Sequence, residues 1–136
     1  MAALVGLLAA ALGQAPAAAA TSIVNRSGDW TVYVHESGAT KICFASSAPK
    51  SAEPPGTARG GVAVFISAWP RQGVKSEVSI KLAQPLRKSS DVTVTVGTSV
   101  FRLFPAADRA FVNDPTDELK LIEAMKKGSS IAVQST

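Results

Sequence analysis

The fold class is decided by the stretch VTVTVGTSVFRLF, residues 92–104. Valines and threonines alternate over residues 92–96, so the apolar side chains fall on one face of an extended strand. Gly97-Thr98 is typical of a tight turn, and residues 99–104 predict the returning strand. The stretch is therefore a β-hairpin, and its apolar face requires a second layer of structure to bury it.

Strand patterns recur on both sides of this hairpin, with turn residues between them. Residues 62–69 are almost continuously apolar and suit a central strand, whereas residues 77–82 alternate, with their apolar side chains on one face. Residues 25–29 are a polar lead-in, and residues 47–61 are rich in proline and glycine and predict a long loop. The other predicted strands are residues 30–35, 41–45 and 130–133. With one short helix, this pattern predicts an all-β antiparallel β-sandwich.

The single predicted helix lies close to the C-terminus. Asp114 suits the N-cap and Pro115 the first helical position, while the basic last turn and the following Gly128 are typical of a helix end. The expected apolar face consists of Leu119, Leu121, Ile122 and Met125. Asp114, Asp117 and Glu118 resemble a metal cluster, but helix capping accounts for all three, and we expect no metal site.

The amino-acid composition excludes several classes of function. The chain has 136 residues, 18% charged and 46% hydrophobic, which favours one globular domain over a disordered chain. One histidine and one cysteine exclude a Cys/His zinc site and an internal disulfide. Scattered lysines and arginines carry the net charge of +4, so we expect no nucleic-acid partner. No glycine-rich phosphate loop precedes a helix, and we expect no cofactor.

Residues 1–20 contain no charged side chain and are mostly apolar. The apolar run has the length of a signal-peptide core and is too short to span a bilayer, and A-x-A cleavage motifs end at Ala17, Ala19 and Ala20. The positive segment that usually begins a signal peptide is missing. We interpret residues 1–20 as a signal peptide and residues 21–136 as the domain of a periplasmic or secreted bacterial protein. An alanine-rich disordered tail or helix is the alternative.

Cys43 and His35 are the conventional nucleophile and base that the chain offers. If the first hairpin turns at Gly38-Ala39, Val34 faces Cys43 and His35 faces Ile42, so the thiol and the imidazole point to opposite sides of the sheet. Only a three- or five-residue loop would bring them together. We therefore expect no catalytic site and interpret Cys43 as a half-buried structural cysteine.

Several short motifs follow one another over residues 28–134. They are Gly28-Asp29-Trp30, Lys41-Ile42-Cys43-Phe44, Val64-Phe65-Ile66-Ser67 with Pro70, Glu77-Val78-Ser79, Val96-Gly97 with Phe101 and Leu103, and Leu121-Ile122-Glu123-Ala124-Met125-Lys126-Lys127-Gly128. In order and spacing they resemble the invasion-associated locus B family. The resemblance implies an exported cell-envelope protein with an immunoglobulin-like β-sandwich. No catalytic residues are established for that family, so none is carried over.

The resemblance also bears on Cys43. Members of that family continue beyond the position of Thr136 with a polar, Gly- and Thr-rich segment and a short helix, and Cys43 would often pair with a cysteine there. In this chain, which ends at Thr136, an exposed last strand can pair with another chain, and an unpaired cysteine can form an intermolecular disulfide. We therefore expect marginal stability or a homodimer, through the last strand or through Cys43, to be measured by sedimentation with and without reductant.

These observations favour a non-enzymatic function. The leading hypothesis is an exported β-sandwich that acts by protein-surface contact with an envelope or host protein. The alternative is a small periplasmic ligand-binding module that uses Trp30, Trp69 and the 47–61 loop, although buried tryptophans are common in β-sandwiches. A hydrolase built on Cys43 and His35 is the third and least favoured hypothesis.

Overall fold

The computed structural model describes residue 13, residues 19–55 and residues 61–136. These form nine strands, one short 3-10 helix and one α-helix: β1 (Ala20–Ser27), β2 (Trp30–Ser37), β3 (Thr40–Ser47), β4 (Ala63–Trp69), the 3-10 helix (Pro70–Gln72), β5 (Val74–Lys81), β6 (Val92–Val96), β7 (Ser99–Ala106), β8 (Arg109–Phe111), α1 (Pro115–Lys127) and β9 (Ala132–Ser135). Most of the predicted signal peptide, and residues 56–60 of the predicted loop, lie outside the described residues.

The strands pair in the order β1-β2-β3-β4-β5-β8-β7-β6-β9, and every pair is antiparallel. Strand β7 belongs to two ladders, because residues 99–103 pair with β6 and residues 104–106 pair with β8. Strands make up 52% of the described residues. The predicted all-β, sandwich-like fold with one short helix near the C-terminus is confirmed.

The core lies between the β4-β5-β8 part of the sheet and the β6-β7 hairpin, and α1 closes its open side. The side chains exposed by at most 1% are Val78, Ile80, Val92, Val94, Ala110 and Leu121. The apolar positions that alternate along the predicted strands therefore form much of this core. Each large apolar side chain in it stabilises the fold by about 1.5–3 kcal/mol.

Strands β1 to β3 extend the sheet beyond this core. Every residue of β1 is exposed, and every residue of β3 is half-buried. A strand with one covered face alternates buried and exposed positions, so the uniform exposure of β3 indicates that neither of its faces is fully covered. This part of the sheet therefore offers both faces for contact with other molecules.

The register of the first hairpin agrees with the sequence. Val34 lies opposite Cys43 and His35 opposite Ile42, as expected for a turn at Gly38-Ala39. The second hairpin turns at Gly97-Thr98 as predicted, where Gly97 has a φ of 59°, a conformation that glycine adopts without steric cost.

Two strands were not predicted. The polar lead-in at residues 25–29 belongs in part to β1, because backbone pairing with β2 needs no apolar side chains. Strand β8 is three residues long, too short for an alternation pattern. Its turn also lacks the usual signal, since Ala107, a residue that rarely takes positive φ, has a φ of 56°.

The phase of the helix and the position of the last strand also differ from the predictions. Leu119 was expected on the apolar face, but its side chain is 61% exposed, whereas Leu121 is completely buried. Two residues along a helix correspond to about 200° of rotation, so these two leucines face opposite ways. The last strand was predicted at residues 130–133 and lies at Ala132–Ser135, where it pairs with β6.

Candidate functional site

Five aromatic side chains lie on the side of the sheet opposite the core, and we call this surface the aromatic face. In the ladders, Tyr33 is opposite Phe44, Phe65 is opposite Ser79, and Ser79 and Phe104 are both opposite Phe111. Directly opposite residues project to the same side of a sheet. The aromatic face consists of Tyr33 (β2), Phe44 (β3), Phe65 (β4), Phe104 (β7) and Phe111 (β8).

Ring contacts link these residues into two groups. The rings of Tyr33 and Phe44 stack with centroids 4.9 Å apart, and Phe65 extends this group with its centroid 6.1 Å from that of Phe44. Phe104 and Phe111 form the second group, with centroids 5.9 Å apart. Such ring pairs contribute about 0.5–1.5 kcal/mol beyond the area they bury, so they keep the rings ordered at the surface.

Arg109 lies between the two groups. Its guanidinium carbon is 5.0 Å from the centroid of the Phe65 ring, and its Nη1 donates a hydrogen bond to Oγ of Ser79 at 3.3 Å. Ser79 separates Phe65 from Phe111 along the register row, and its small side chain leaves room for the guanidinium. Arg109 forms no ion pair with a described residue, although its charge acts on the nearby Glu77 carboxyl group. Its guanidinium can therefore still form a salt bridge with a partner's carboxylate.

A carboxyl group borders the same region. Burial raises the pKa of Glu77 above its usual value, and the nearby Glu118 carboxylate raises it further, while the Arg109 guanidinium partly opposes both effects. Glu77 lies opposite Ser67 on the aromatic face. On the other side of the row, Lys81 pairs with Asp108 at 3.5 Å. The aromatic face is therefore apolar in its interior and charged at its margin.

The aromatic face is accessible to other proteins. Helix α1 packs on the opposite, core side, where Leu121 contacts the buried cluster. Phe104 is 43% exposed, and the other four aromatic residues are half-buried. Half-exposed Tyr, Phe and Arg side chains with a charged margin have the composition of a protein-contact surface.

Cys43 and His35 are not brought together. Cys43 faces the core side of the sheet and lines a groove of about 210 Å³ beside Ile66 and Ala68. His35 faces the aromatic side, where its Nδ1 is 2.6 Å from Oγ1 of Thr21. Cys43 is half-buried, as predicted. The geometry provides no nucleophile-base pair.

The tryptophans of the ligand-binding alternative are also apart. Trp30 packs against the core cluster, and Trp69 is half-buried where β4 meets the 3-10 helix. The ring contacts between described residues do not include either tryptophan. Each tryptophan therefore has the position of a packing residue, and the two do not form one ligand-binding surface.

The acidic residues of α1 are structural. Oδ1 of Asp114 accepts hydrogen bonds from the backbone N–H groups of Thr116 and Asp117, at 2.7 and 3.4 Å. Oε2 of Glu118 accepts one from the backbone N–H of Val78 at 3.1 Å. The described part of the chain contains no cluster of three or more metal-ligating side chains. Nor do its helices include one long and apolar enough to cross a membrane.

Sequence reasoning did not find the aromatic face. Tyr33, Phe44 and Phe65 lie on predicted strands, but only the register shows that Tyr33 is opposite Phe44 and that Phe65 lies in the neighbouring row on the same face. Phe104 and Phe111 come together through the unpredicted β7-β8 hairpin. The turn of that hairpin, at Ala107-Asp108, lacks the glycine or asparagine that usually signals a two-residue turn.

No family model matches the chain, and no curated protein or solved structure is significantly similar to it. The fold and the geometry described above therefore carry the functional argument.

Proposed function

We propose that this chain is an exported, non-catalytic domain that acts by protein-surface contact with an envelope or host protein, and that the aromatic face is its contact surface. The observation that carries the proposal is the set of half-exposed rings on five strands, with the guanidinium of Arg109 over the Phe65 ring and in no ion pair with a described residue. Aromatic and arginine side chains supply most of the residues that dominate binding at protein interfaces.

The chemistry of the surface supports one kind of partner. Aromatic side chains bury large apolar areas, so a partner that covers the exposed parts of these rings on five strands gains hydrophobic free energy. Arg109 adds specificity, because a partner carboxylate can replace the weak hydrogen bond from its Nη1 to Ser79. The preferred partner therefore presents an apolar patch with a carboxylate inside it.

Export is the second part of the proposal, supported by the signal-like composition of residues 1–20. Strand β1 begins at Ala20. Cleavage after Ala17 or Ala19 leaves β1 complete, whereas cleavage after Ala20 removes its first residue. We expect mass spectrometry of the exported protein to give an N-terminus at Ala18 or Ala20. An intact Met1 would contradict export. The resemblance to the invasion-associated locus B family, with its immunoglobulin-like sandwich, agrees with an envelope location.

The contact surface is tested with two variants and a matched control. Phe104→Ser removes an exposed ring, and Arg109→Ala removes the free cation. Leu119→Ser is the control, since Leu119 is a large apolar residue on α1 that is 61% exposed. Each variant is immobilised and exposed to bacterial envelope extract and to host-cell surface extract, after circular dichroism has shown that it is folded.

We expect the wild-type chain and Leu119→Ser to retain the same partner protein, and Phe104→Ser and Arg109→Ala to lose most of it. A partner captured equally by all four proteins contacts another surface, and the assignment of the aromatic face is then wrong. A small molecule that quenches tryptophan fluorescence without any protein partner favours the ligand-binding alternative instead.

A further inference from the structure

A second site lies along the open edge of β7, beyond the end of β8, where the sheet is incomplete. Strand β8 pairs with β5 only through residues 79–81 and with β7 only through residues 104–106. Beyond the end of β8, the edge of β5 at residues 74–78 and the edge of β7 at residues 99–103 are no longer bridged by a strand. Helix α1 lies across this gap and contacts β5, β6 and β7.

The protein closes the β5 side of the gap itself. Oε2 of Glu118 accepts a hydrogen bond from the backbone N–H of Val78 at 3.1 Å. Val78 is completely buried, and a buried N–H group without a partner would cost about 1–3 kcal/mol. A helix side chain therefore replaces the strand that would otherwise pair with β5 at this point.

The β7 side of the gap has no such replacement. Val96 and Ser99 flank a two-residue turn and form a hydrogen-bonded pair, so the next pairs alternate between hydrogen-bonded and non-hydrogen-bonded. Val100, opposite Thr95, and Arg102, opposite Thr93, fall in the non-hydrogen-bonded class. Their N–H and C=O groups point away from β6, and they have no hydrogen-bond partner within the part of the chain that the structure describes.

These open backbone groups face a cleft of about 680 Å³. One wall is β7 from Ser99 to Arg102, and the other is the side of α1 that carries Asp117, Lys120 and Ala124. The volume lies within the range of about 300–1,000 Å³ that is usual for binding sites. A cleft between a strand edge and a helix is the arrangement in which proteins bind extended peptides by adding a strand to a sheet.

The side chains that line the cleft indicate which peptide sequence would fit it. Toward the core, Phe101 and Ala124 offer a half-buried apolar surface. Toward solvent, Arg102 is exposed and forms no ion pair with a described residue. Lys120 adds a second positive charge, although it lies 3.9 Å from Asp117. Successive residues of a strand point to opposite faces. A peptide with alternating apolar and acidic residues therefore places its apolar side chains toward Phe101 and Ala124 and its acidic side chains toward Arg102 and Lys120.

We propose that the cleft between β7 and α1 binds an extended peptide segment that pairs with the backbone of Val100 and Arg102, places apolar side chains against Phe101 and Ala124, and places an acidic side chain beside Arg102. Arg102 projects to the same side of β7 as Phe104, but the cleft shares no residue with the aromatic face. The proposal therefore does not depend on the function proposed for that surface. The peptide runs antiparallel to β7, in the direction that β8 already follows.

The test uses the acetylated and amidated peptide Glu-Val-Glu-Val-Glu-Val, with Lys-Val-Lys-Val-Lys-Val as the charge-reversed comparison. Binding is measured by calorimetry, and amide hydrogen exchange of the full chain is followed residue by residue by NMR. We expect the acidic peptide to bind and to slow exchange at Val100 and Arg102. We expect Arg102→Glu to weaken its binding about fivefold to tenfold and to favour the basic peptide.

Two further variants separate backbone pairing from charge. Val100→Pro removes an N–H group that makes no bond to β6, so the hairpin remains while the pairing with the peptide is lost. Arg87→Glu is the matched control, because it reverses an exposed arginine outside the cleft and leaves binding unchanged. Arg109→Ala, on the aromatic face, also leaves it unchanged. If Val100→Pro fails to fold, the proposal is tested by comparing how strongly Arg102→Glu and Arg87→Glu bind the acidic peptide.

Three results would overturn the proposal. Arg102→Glu and Arg87→Glu could affect the acidic peptide equally, which would indicate non-specific charge attraction. Protection could appear on the aromatic face or on β1 instead of at Val100 and Arg102. The two amides could also be protected without peptide in a chain that sediments as a dimer, in which case a second copy occupies the cleft.

Discussion

The carboxylate of Glu118 accepts a hydrogen bond from the backbone N–H of Val78 over 3.1 Å, and it thereby continues the edge of β5 where β8 ends. The contact joins residues that are 40 positions apart in the chain. It holds the first turn of α1 against the sheet and so shapes both the core and the peptide cleft. This hydrogen bond adds to the apolar contacts of Leu121, Ile122 and Met125, which hold the helix against the core.

Replacing Glu118 by alanine is expected to lower the free energy of unfolding by about 1–3 kcal/mol, because the N–H of buried Val78 loses its acceptor. Glu118→Gln, which keeps an acceptor oxygen, is expected to cost less. Urea denaturation measures both. Glu123→Ala is the control, since Glu123 makes only an exposed ion pair with Lys126, and its effect is expected to stay within about 0.5 kcal/mol. Equal losses for Glu118→Ala and Glu123→Ala would show that the hydrogen bond to Val78 contributes nothing.

The raised pKa of Glu77 predicts a pH dependence of stability. Because burial and Glu118 raise this pKa in the folded state, the folded chain binds the proton more tightly than the unfolded chain. The stabilisation is complete below the unfolded pKa, near 4.5, and is lost as the pH rises through the higher folded value. Glu77→Gln is therefore expected to gain stability relative to the wild type as the pH rises through this window. Urea unfolding from about pH 4 to about pH 8 measures the difference, and a constant difference between the two proteins would contradict the prediction.

Gly128 is expected to resist substitution for a steric reason. Its φ is −83°, an ordinary value for any residue, but a Cβ atom there would lie 2.6 Å from Cγ1 of Val96. Gly128→Ala should therefore destabilise the chain by about 1–3 kcal/mol. The double variant Gly128→Ala with Val96→Ala should lose less unfolding free energy than the sum of the two single variants, because the smaller side chain at position 96 removes the clash. Strict additivity in a thermal or urea denaturation cycle would exclude the clash as the cause.

The two leucines of α1 provide a matched pair. Leu121→Ala leaves a cavity in the core and should cost about 2–5 kcal/mol, whereas Leu119→Ala changes an exposed side chain and should stay within about 0.5 kcal/mol. The helix propensities of the two variants change identically, so the difference in unfolding free energy isolates burial. Similar values for the two would mean that the helix is rotated from the orientation described above.

Alkylation of Cys43 tests its separation from His35. We expect a thiol reagent to modify Cys43 more slowly in the folded chain than in urea, because the residue is half-buried in its groove. His35→Ala should leave the rate unchanged, since the two side chains lie on opposite faces of the sheet. A rate that falls when His35 is removed would revive the nucleophile-base pair.

Local sequence was sufficient for the features that depend on neighbouring residues. Alternation identified β6, β7 and the core positions of β5, the Gly97-Thr98 turn gave the second hairpin, and Asp114-Pro115 marked the start of the helix. The register of the first hairpin followed from its turn, which also separated Cys43 from His35. Turns, caps and side-chain alternation act over a few residues, so the sequence pattern contains them.

Only the tertiary structure decided the rest. The aromatic face combines residues from five strands, and its rows depend on how β3, β4, β5, β8 and β7 pair over long sequence distances. The peptide cleft exists because β8 ends early and α1 crosses the remaining gap. The orientation of Leu119 depends on which side of α1 meets the core. By itself the sequence determined most of the elements, though not β1 or β8, and its single histidine and single cysteine exclude a Cys/His zinc site and an internal disulfide. The surfaces available for binding arise from long-range strand pairing, which no local pattern encodes.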